Sequence, residues 1–125
     1  MIMSFLQVAA GGAIGATIRY GAGLALVRHV QSGFPVTILT VNVLGSFLMG
    51  VFVVWSFLRG VEHWNLFVMT GVLGGFTTFS AFSLETVTLF ERGQYGSALL
   101  YVSLSVVLSV GALVAGVAMA RAIWA

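Results

Sequence analysis

The sequence predicts an all-α integral membrane protein, a single domain over 1–125 that contains four transmembrane helices. The first observation is composition: 60% of the residues are hydrophobic and 6% are charged, against roughly 25% charged residues in soluble domains. The second is pattern, because four apolar runs are each long enough to cross a bilayer, which takes about 20 residues. Four such spans leave little of the chain for a soluble domain.

Charge and cysteine content exclude several classes of function. The charged residues are five Arg and three Glu, scattered along the chain, and the formal net charge is +2. We expect no nucleic-acid partner, because the chain has no basic patch. Cysteine is absent, which excludes disulfides, iron–sulfur clusters and thiol catalysis. No nucleotide-binding loop, metal-ligand cluster or nucleophile–base set is recognisable, so the protein is not expected to be an enzyme.

The predicted spans follow the apolar runs in order along the chain. They cover 5–27, 34–58, 66–90 and 95–120. Most of the charge and several turn residues fall in the connections between them, at 28–33, 59–63 and 91–94. An even number of spans places both ends of the chain on one side of the membrane.

Small residues recur four positions apart within the spans, a spacing that lets helix backbones approach closely. The pairs are Gly11 and Gly15, Gly71 and Gly75, and Ala112 and Gly116. They are compatible with packing inside one subunit and with packing between subunits.

Each span also carries a polar residue toward the same end of the bundle. These residues are Arg19, Asn42, Glu85 and Tyr101. Because successive spans alternate in direction, all four approach one membrane face, where the protein could hold water. For Arg19, two interpretations stay open: its side chain extends to the nearer interface, or it attracts anions into a wet vestibule.

The centre of the third span is poor helix-forming sequence. It reads GGFTTFSAF over 74–82, with paired glycines followed by β-branched residues. We expect the helix to break at the bilayer midplane, which frees backbone groups that only protein, water or an ion can satisfy. If two copies pack antiparallel, the breaks meet on the two-fold axis, and four carbonyls could surround one small cation.

Phe79 and Phe82 follow this break and share a helix face. The edge of a Phe ring is positive, so the two rings either offer an anion a weakly attractive surface or pack as ordinary apolar groups. In the fourth span, Tyr101, Ser105 and Ser109 form a stripe of hydroxyls, unless the serines bond their own helix. Donors outnumber acceptors along this path, which favours an anion.

The arginines outside the spans are divided evenly between the two membrane faces. Arg59 and Arg121 fall on one side, and Arg28 and Arg92 on the other. Orientation follows the asymmetry of Lys and Arg in short loops, so a tie predicts dual topology, unless the terminal amine or lipid contacts decide the orientation. A four-helix bundle also has too few walls for a wide aqueous path, so transport would require an oligomer.

Three stretches resemble the bacterial Fluc/CrcB fluoride channel family. They are GGAIGATIRY over 11–20, VNVLGSFLMG over 41–50 and GGFTTFSAFS over 74–83, and the resemblance covers the whole chain. It implies an antiparallel dual-topology homodimer in the bacterial inner membrane, with two fluoride pores that export fluoride passively. Neutral HF crosses lipid and dissociates inside, so an anion-selective leak down the membrane potential removes the trapped fluoride.

The resemblance also implies roles for individual residues. The pore would be lined by Asn42, Phe79, Phe82, Tyr101, Ser105 and Ser109. Arg19 and Glu85 would lie near the vestibule. The backbone carbonyls of Gly74 and Thr77, doubled by symmetry, would hold a structural sodium ion at the dimer interface.

Two other functions remain compatible with the residues. A small multidrug-resistance type exporter has similar length, four spans and dual topology, but its proton coupling requires a membrane-embedded Glu in the first span, where this chain has Arg19. A purely structural membrane subunit would use its glycines and serines for packing and Asn42 as a hydrogen bond between helices.

Overall fold

The computed structural model describes residues 1–29 and 33–125, and the regular secondary structure in these ranges is helical. Two long helices come first: α1 (Ile2–His29) and α2 (Val36–Arg59). After a 3₁₀ turn, Glu62–Trp64, a π-helix over Leu66–Leu73 continues as an α-helical turn, Gly74–Phe76, and the two together are called α3. The last helices are α4 (Phe79–Glu91) and α5 (Tyr95–Trp124).

Within residues 1–29 and 33–125, four helical segments are long and apolar enough to cross a membrane. They are Ile2–Val27, Val36–Arg59, Glu62–Glu91 and Tyr95–Trp124. The prediction of four such helices is therefore confirmed, with α3 and α4 forming the third segment. The first predicted connection, 28–33, includes residues 30–32, which lie outside the described residues.

Proline and glycine set the limits of the helices. Pro35 directly precedes α2, where its missing N–H costs no helical hydrogen bond. Gly60 ends the same helix with a φ of 67°, and Gly93 has a φ of 74° in the turn between α4 and α5. Residues with a Cβ are disfavoured at these angles. Two of the predicted connections thus contain the chain's left-handed glycines.

The glycines of α1 allow it to pack directly on α3. A Cβ added at Gly11 would lie 2.9 Å from the Cα of Gly71, and one added at Gly15 would lie 2.7 Å from the backbone nitrogen of Phe76. Likewise, a Cβ at Gly75 would lie 2.7 Å from the carbonyl oxygen of Gly12. Contacts advance together along both helices, so α1 and α3 run in the same direction. These glycines pack within one subunit.

A second close contact joins α2 to α5. A Cβ added at Gly50 would meet the backbone of Leu113 and Val117, and one added at Gly116 would meet the backbone of Phe47 and Val51. Side chains this small bring backbones into van der Waals contact, which is how helices associate in lipid.

Few side chains are fully buried in the subunit, and many large apolar ones face outward. The buried clusters are small: Ile38, Val41 and Phe76 form one, and Leu89, Ala98 and Tyr101 form the other. The exposed set includes Phe5, Ile18 and Val107, each more than half accessible. An apolar exterior of this extent suits hydrocarbon as the solvent.

Candidate functional site

The third membrane segment is interrupted at two threonines. The α3 helix ends at Phe76, Thr77 and Thr78 are extended, with ψ angles of 157° and 123°, and α4 begins at Phe79. The Thr78 hydroxyl caps α4 by accepting a hydrogen bond from the backbone N–H of Ala81 at 3.2 Å. β-Branched residues suit extended backbone, so the sequence and the local geometry agree.

Asn42 of α2 holds the interruption through both ends of its side-chain amide. Its Nδ2 donates to the Thr78 carbonyl at 3.0 Å, and its Oδ1 accepts from the Thr78 N–H at 2.8 Å. An extended residue at membrane depth leaves both of its backbone groups without helical partners. Asn42 provides a hydrogen-bond partner for both the N–H and the carbonyl of Thr78. The asparagine therefore holds the backbone of the interruption in place.

Arg19 satisfies one of the carbonyls at the end of α3. Its Nε donates to the carbonyl oxygen of Gly75 at 3.2 Å. A cation at the C-terminus of a helix is favourable because the last carbonyls lack helical partners and carry partial negative charge.

The carbonyls of Gly74 and Thr77 lose the donors that a continuous helix would provide. Those donors would be the N–H groups four residues later, at Thr78 and Ala81. Instead, the N–H of Thr78 donates to Asn42 Oδ1, and the N–H of Ala81 donates to Thr78 Oγ1. The carbonyl oxygens of Gly74 and Thr77 are thus among those released from the helical hydrogen-bond pattern at the interruption.

Beside the interruption lies a cleft of about 400 Å³. Four residues contribute from α2, Asn42, Gly45, Ser46 and Met49, and two from the interruption, Thr77 and Thr78. The remaining walls come from α4 and α5, which contribute Phe79, Phe82, Ser105, Val106, Ser109, Val110 and Leu113. Five of the six residues expected to line a pore therefore share one cavity; the sixth, Tyr101, packs behind Phe82.

The hydroxyls of Ser105 and Ser109 are buried in this cleft and have no hydrogen-bond partner among the described residues. Elsewhere in the spans, hydroxyls bond to the carbonyl four residues earlier, as Thr17, Ser83, Thr86 and Thr88 do. Such local bonding is the usual state of Ser and Thr in membrane helices. Two neighbouring serines depart from it, so two hydroxyls in the wall of the cleft have no hydrogen-bond partner among the described residues.

Aromatic rings connect the cleft to the buried part of the subunit. The ring centroids of Phe79 and Phe82 are 5.4 Å apart, and those of Phe82 and Tyr101 are 5.2 Å apart. Phe34 meets Tyr101 edge-on at 5.6 Å. Phe79 lies at one end of this series of rings and is 77% exposed. That end of the series is therefore not covered by other parts of the subunit.

The hydroxyl of Tyr101 donates to Glu85 Oε2 at 2.7 Å. The sequence predicts a stripe of this hydroxyl with those of Ser105 and Ser109. In the structure it has a partner on α4, whereas the two serine hydroxyls have none among the described residues. Arg19 and Glu85 bind different groups, Gly75 and Tyr101.

Two polar residues of the cleft, Thr78 and Ser46, are not among the pore residues predicted from the sequence. Ser46 lies one helical turn after Asn42 and therefore on the same face of α2, a spacing that would have identified it. Thr78 could be recognised only as part of the glycine–threonine stretch, because its role depends on a side chain from another helix.

Fold and cleft together define a small multi-pass α-helical membrane protein with a hydroxyl-lined cleft at the interruption of its third span. The chain belongs to the family described as "CrcB-like protein, Camphor Resistance (CrcB)", whose model matches residues 6–117. This finding confirms the family resemblance seen in the sequence.

Similar proteins are named as channels rather than enzymes. The chain is 62% identical over 123 residues to the fluoride-specific ion channel FluC of Roseobacter denitrificans, covering 97% of this chain and 98% of the relative. It is 58% identical over 124 residues to FluC of a Ruegeria species, covering 98% of each chain. For FluC of a Jannaschia species, the identity is 66% over 96 residues, 77% of this chain and 91% of the relative.

Proposed function

We propose that this protein is a fluoride-selective ion channel that exports fluoride passively across the bacterial inner membrane. Membership of the CrcB-like family and similarity to proteins named fluoride-specific ion channels support this function. A proton-coupled exporter of the small multidrug-resistance type is not favoured by these relatives, and Arg19 occupies the first span where such an exporter needs an acid.

The observation that carries the proposal is the pair of unpartnered serine hydroxyls in the cleft. A small anion loses hydration when it enters a narrow path, and neutral donors along the path replace part of that shell. Ser105 and Ser109 offer O–H groups that have no acceptor within the described part of the chain. The rings of Phe79 and Phe82 add weakly positive edges, which stabilise an anion without trapping it.

Each subunit supplies only part of the wall around this path. The cleft opens beside Phe79, Val106 and Val110, which are 77%, 54% and 62% exposed. Lipid at this opening would put unpaired serine hydroxyls against hydrocarbon, which is unfavourable. A second, antiparallel copy covers the opening in our proposal, and the two-fold symmetry gives two pores. The even division of arginines between the faces suits this dual topology.

The interruption of the third span fits a structural sodium ion at the dimer interface. Sodium prefers oxygen ligands, and the carbonyls of Gly74 and Thr77 have lost their helical donors. Two carbonyls from each subunit would hold the ion on the symmetry axis. When bound, the ion supplies positive charge that offsets the carbonyl dipoles and joins the subunits.

Export needs no energy source besides the membrane potential. HF enters as a neutral acid, dissociates in the cytoplasm and leaves fluoride behind as an anion. An anion path driven by a potential that is negative inside removes it, at about 2.3 kcal/mol per charge per 100 mV. The described residues that line the cleft carry no fixed charge, so a fluoride ion meets no deep electrostatic trap among them.

Fluoride and chloride efflux from liposomes tests the proposed function. Proteoliposomes loaded with both anions should release fluoride, as measured by an ion-selective electrode, and retain chloride when a potassium ionophore provides the counter-current. Liposomes without protein are the control. Ion-tight proteoliposomes would contradict the channel function and favour a structural subunit, whereas proton flux driven by an organic cation would indicate the exporter.

A double variant, Ser105→Ala with Ser109→Ala, separates the conducting role of the hydroxyls from a structural one. We expect fluoride efflux to fall about tenfold, equivalent to about 1.4 kcal/mol, while the midpoint of thermal unfolding stays unchanged or rises. The reason is that these hydroxyls bond to none of the described residues, so their removal leaves no partner unpaired there. Ser103→Ala, on the exposed side of α5, is the matched control. Lower stability with unchanged efflux would contradict the assigned role.

A further inference from the structure

A second cleft lies at the end of the subunit where α2 and α5 finish. Its volume is about 430 Å³. The apolar walls include Val53, Val54 and Phe57 of α2 and Val117 of α5, and its polar residues include Glu62, Asn65 and Arg121. It shares no lining residue with the cleft beside the interruption.

One end of this cleft is apolar and the other is charged, as the acyl chains and the head group of a phospholipid are. Val53 lies about 9 Å and Val54 about 7.5 Å inside the last residue of α2, at 1.5 Å per residue, whereas Glu62 follows the end of that helix. Arg121 lies in the last turn of α5. Apolar walls therefore face the bilayer interior, and the charged groups lie near the membrane–water interface.

The two charged side chains that line this second cleft, Glu62 and Arg121, are free to bind a ligand. Among the described residues, Glu62 and Arg121 have no ion-pair partner, although they have opposite charges and line the same cleft. A ligand that carries both charges can pair with both residues at once. A phosphate group suits Arg121, and an ammonium group suits Glu62.

Asn65 distinguishes between head groups because its side-chain oxygen needs a donor. The Oδ1 atom is buried and has no hydrogen-bond partner among the described residues. A primary ammonium can donate to it, whereas a quaternary ammonium has no N–H group. A site with an unpaired buried acceptor discriminates strongly against a ligand that lacks the matching donor.

We propose that this second cleft binds a zwitterionic phospholipid with a primary amine, phosphatidylethanolamine in its simplest form. The ammonium group binds Asn65 Oδ1 and Glu62, the phosphate binds Arg121, and an acyl chain lies against Val53, Phe57 and Val117. Phe57 is 69% exposed in the subunit, and the acyl chain covers it. The site does not depend on fluoride conduction, since it lies apart from the cleft proposed to conduct.

Thermal unfolding in mixed micelles tests this site on the full-length protein. Phosphatidylethanolamine, phosphatidylcholine and phosphatidylglycerol with identical acyl chains are added at equal mole fractions. We expect phosphatidylethanolamine to raise the midpoint by about 4 °C more than either of the others. Phosphatidylcholine lacks the N–H donor, and phosphatidylglycerol lacks the positive charge.

Two variants assign the effect to the cleft. Asn65→Leu and Glu62→Gln should each abolish the preference for phosphatidylethanolamine. Glu62 is exposed, so its substitution leaves the fold intact even if Asn65→Leu impairs folding. The matched controls, Gln94→Leu and Glu91→Gln, lie in the connection before α5 and at the end of α4 and should keep the preference.

Other outcomes would overturn the lipid site. Equal stabilisation by all three lipids, or a preference that survives in both variants, means that the cleft does not recognise the head group. If Glu62→Gln instead weakens association of the subunits, measured by light scattering in detergent, the occupant is a second copy of this chain.

Discussion

Replacing Phe79 and Phe82 together with isoleucine is expected to reduce fluoride efflux at least about 100-fold, equivalent to about 2.7 kcal/mol. The centroids of the two rings are 5.4 Å apart, and both rings line the proposed path. Isoleucine keeps the apolar character and much of the volume but has no ring edge of positive potential. A partly dehydrated anion would then pass an aliphatic surface that offers it no electrostatic stabilisation.

The measurement is electrode-detected efflux from proteoliposomes, together with size-exclusion chromatography to confirm that the subunits assemble as in the parent protein. Phe5→Ile with Phe90→Ile is the matched control, because both phenylalanines are exposed and neither lines the cleft. Unchanged efflux in the Phe79→Ile, Phe82→Ile variant would show that the two rings serve only packing. The Ser105 and Ser109 hydroxyls would then carry anion recognition alone.

Gly15→Ala should disrupt the packing of α1 on α3 and destabilise the protein by about 3 kcal/mol, the upper part of the range for overpacking. The added methyl group would overlap the carbonyl oxygen of Val72 and lie 2.7 Å from the backbone nitrogen of Phe76. Backbone atoms in two packed helices cannot give way as a side chain does. We expect the midpoint of thermal unfolding to fall by about 10 °C.

Gly12→Ala provides the matched control for this variant. Gly12 lies on the same helix, and a Cβ added there meets no atom within 4 Å. Alanine is also the better helix former, so the control should be neutral or slightly stabilising. If both variants unfold at the same temperature, the close contact between α1 and α3 does not limit stability. Unfolding is followed by loss of monodisperse protein in detergent.

The spans could be predicted from the sequence because apolar length is a local property. The predicted limits of 5–27 and 95–120 lie within the helices Ile2–His29 and Tyr95–Trp124. Helices extend beyond the apolar runs because polar residues at the interface, such as Arg121, continue the helix without entering hydrocarbon. The π-helical start of α3 could not be predicted from the sequence, since its residues are as apolar as those of an ordinary α-helical span.

The cleft was predictable in part. Ser105 and Ser109 share a helix face by their spacing, and in the structure both line the cleft. Which hydroxyls remain unpartnered was not readable, because Tyr101 bonds Glu85 of a different helix. For the same reason the bond from Arg19 to the Gly75 carbonyl could not be inferred, since it joins residues 56 positions apart in the chain.

The bonds between Asn42 and Thr78 have a consequence for the order of assembly. The two residues are 36 positions apart, so the interruption depends on a neighbouring helix and cannot form from the third span alone. Before α2 docks, an extended Thr78 would have both backbone groups unpaired in lipid, and a continuous helix is the cheaper conformation. We therefore expect the third span to enter the bilayer as an unbroken helix and to open at Thr77 and Thr78 only as the tertiary structure forms.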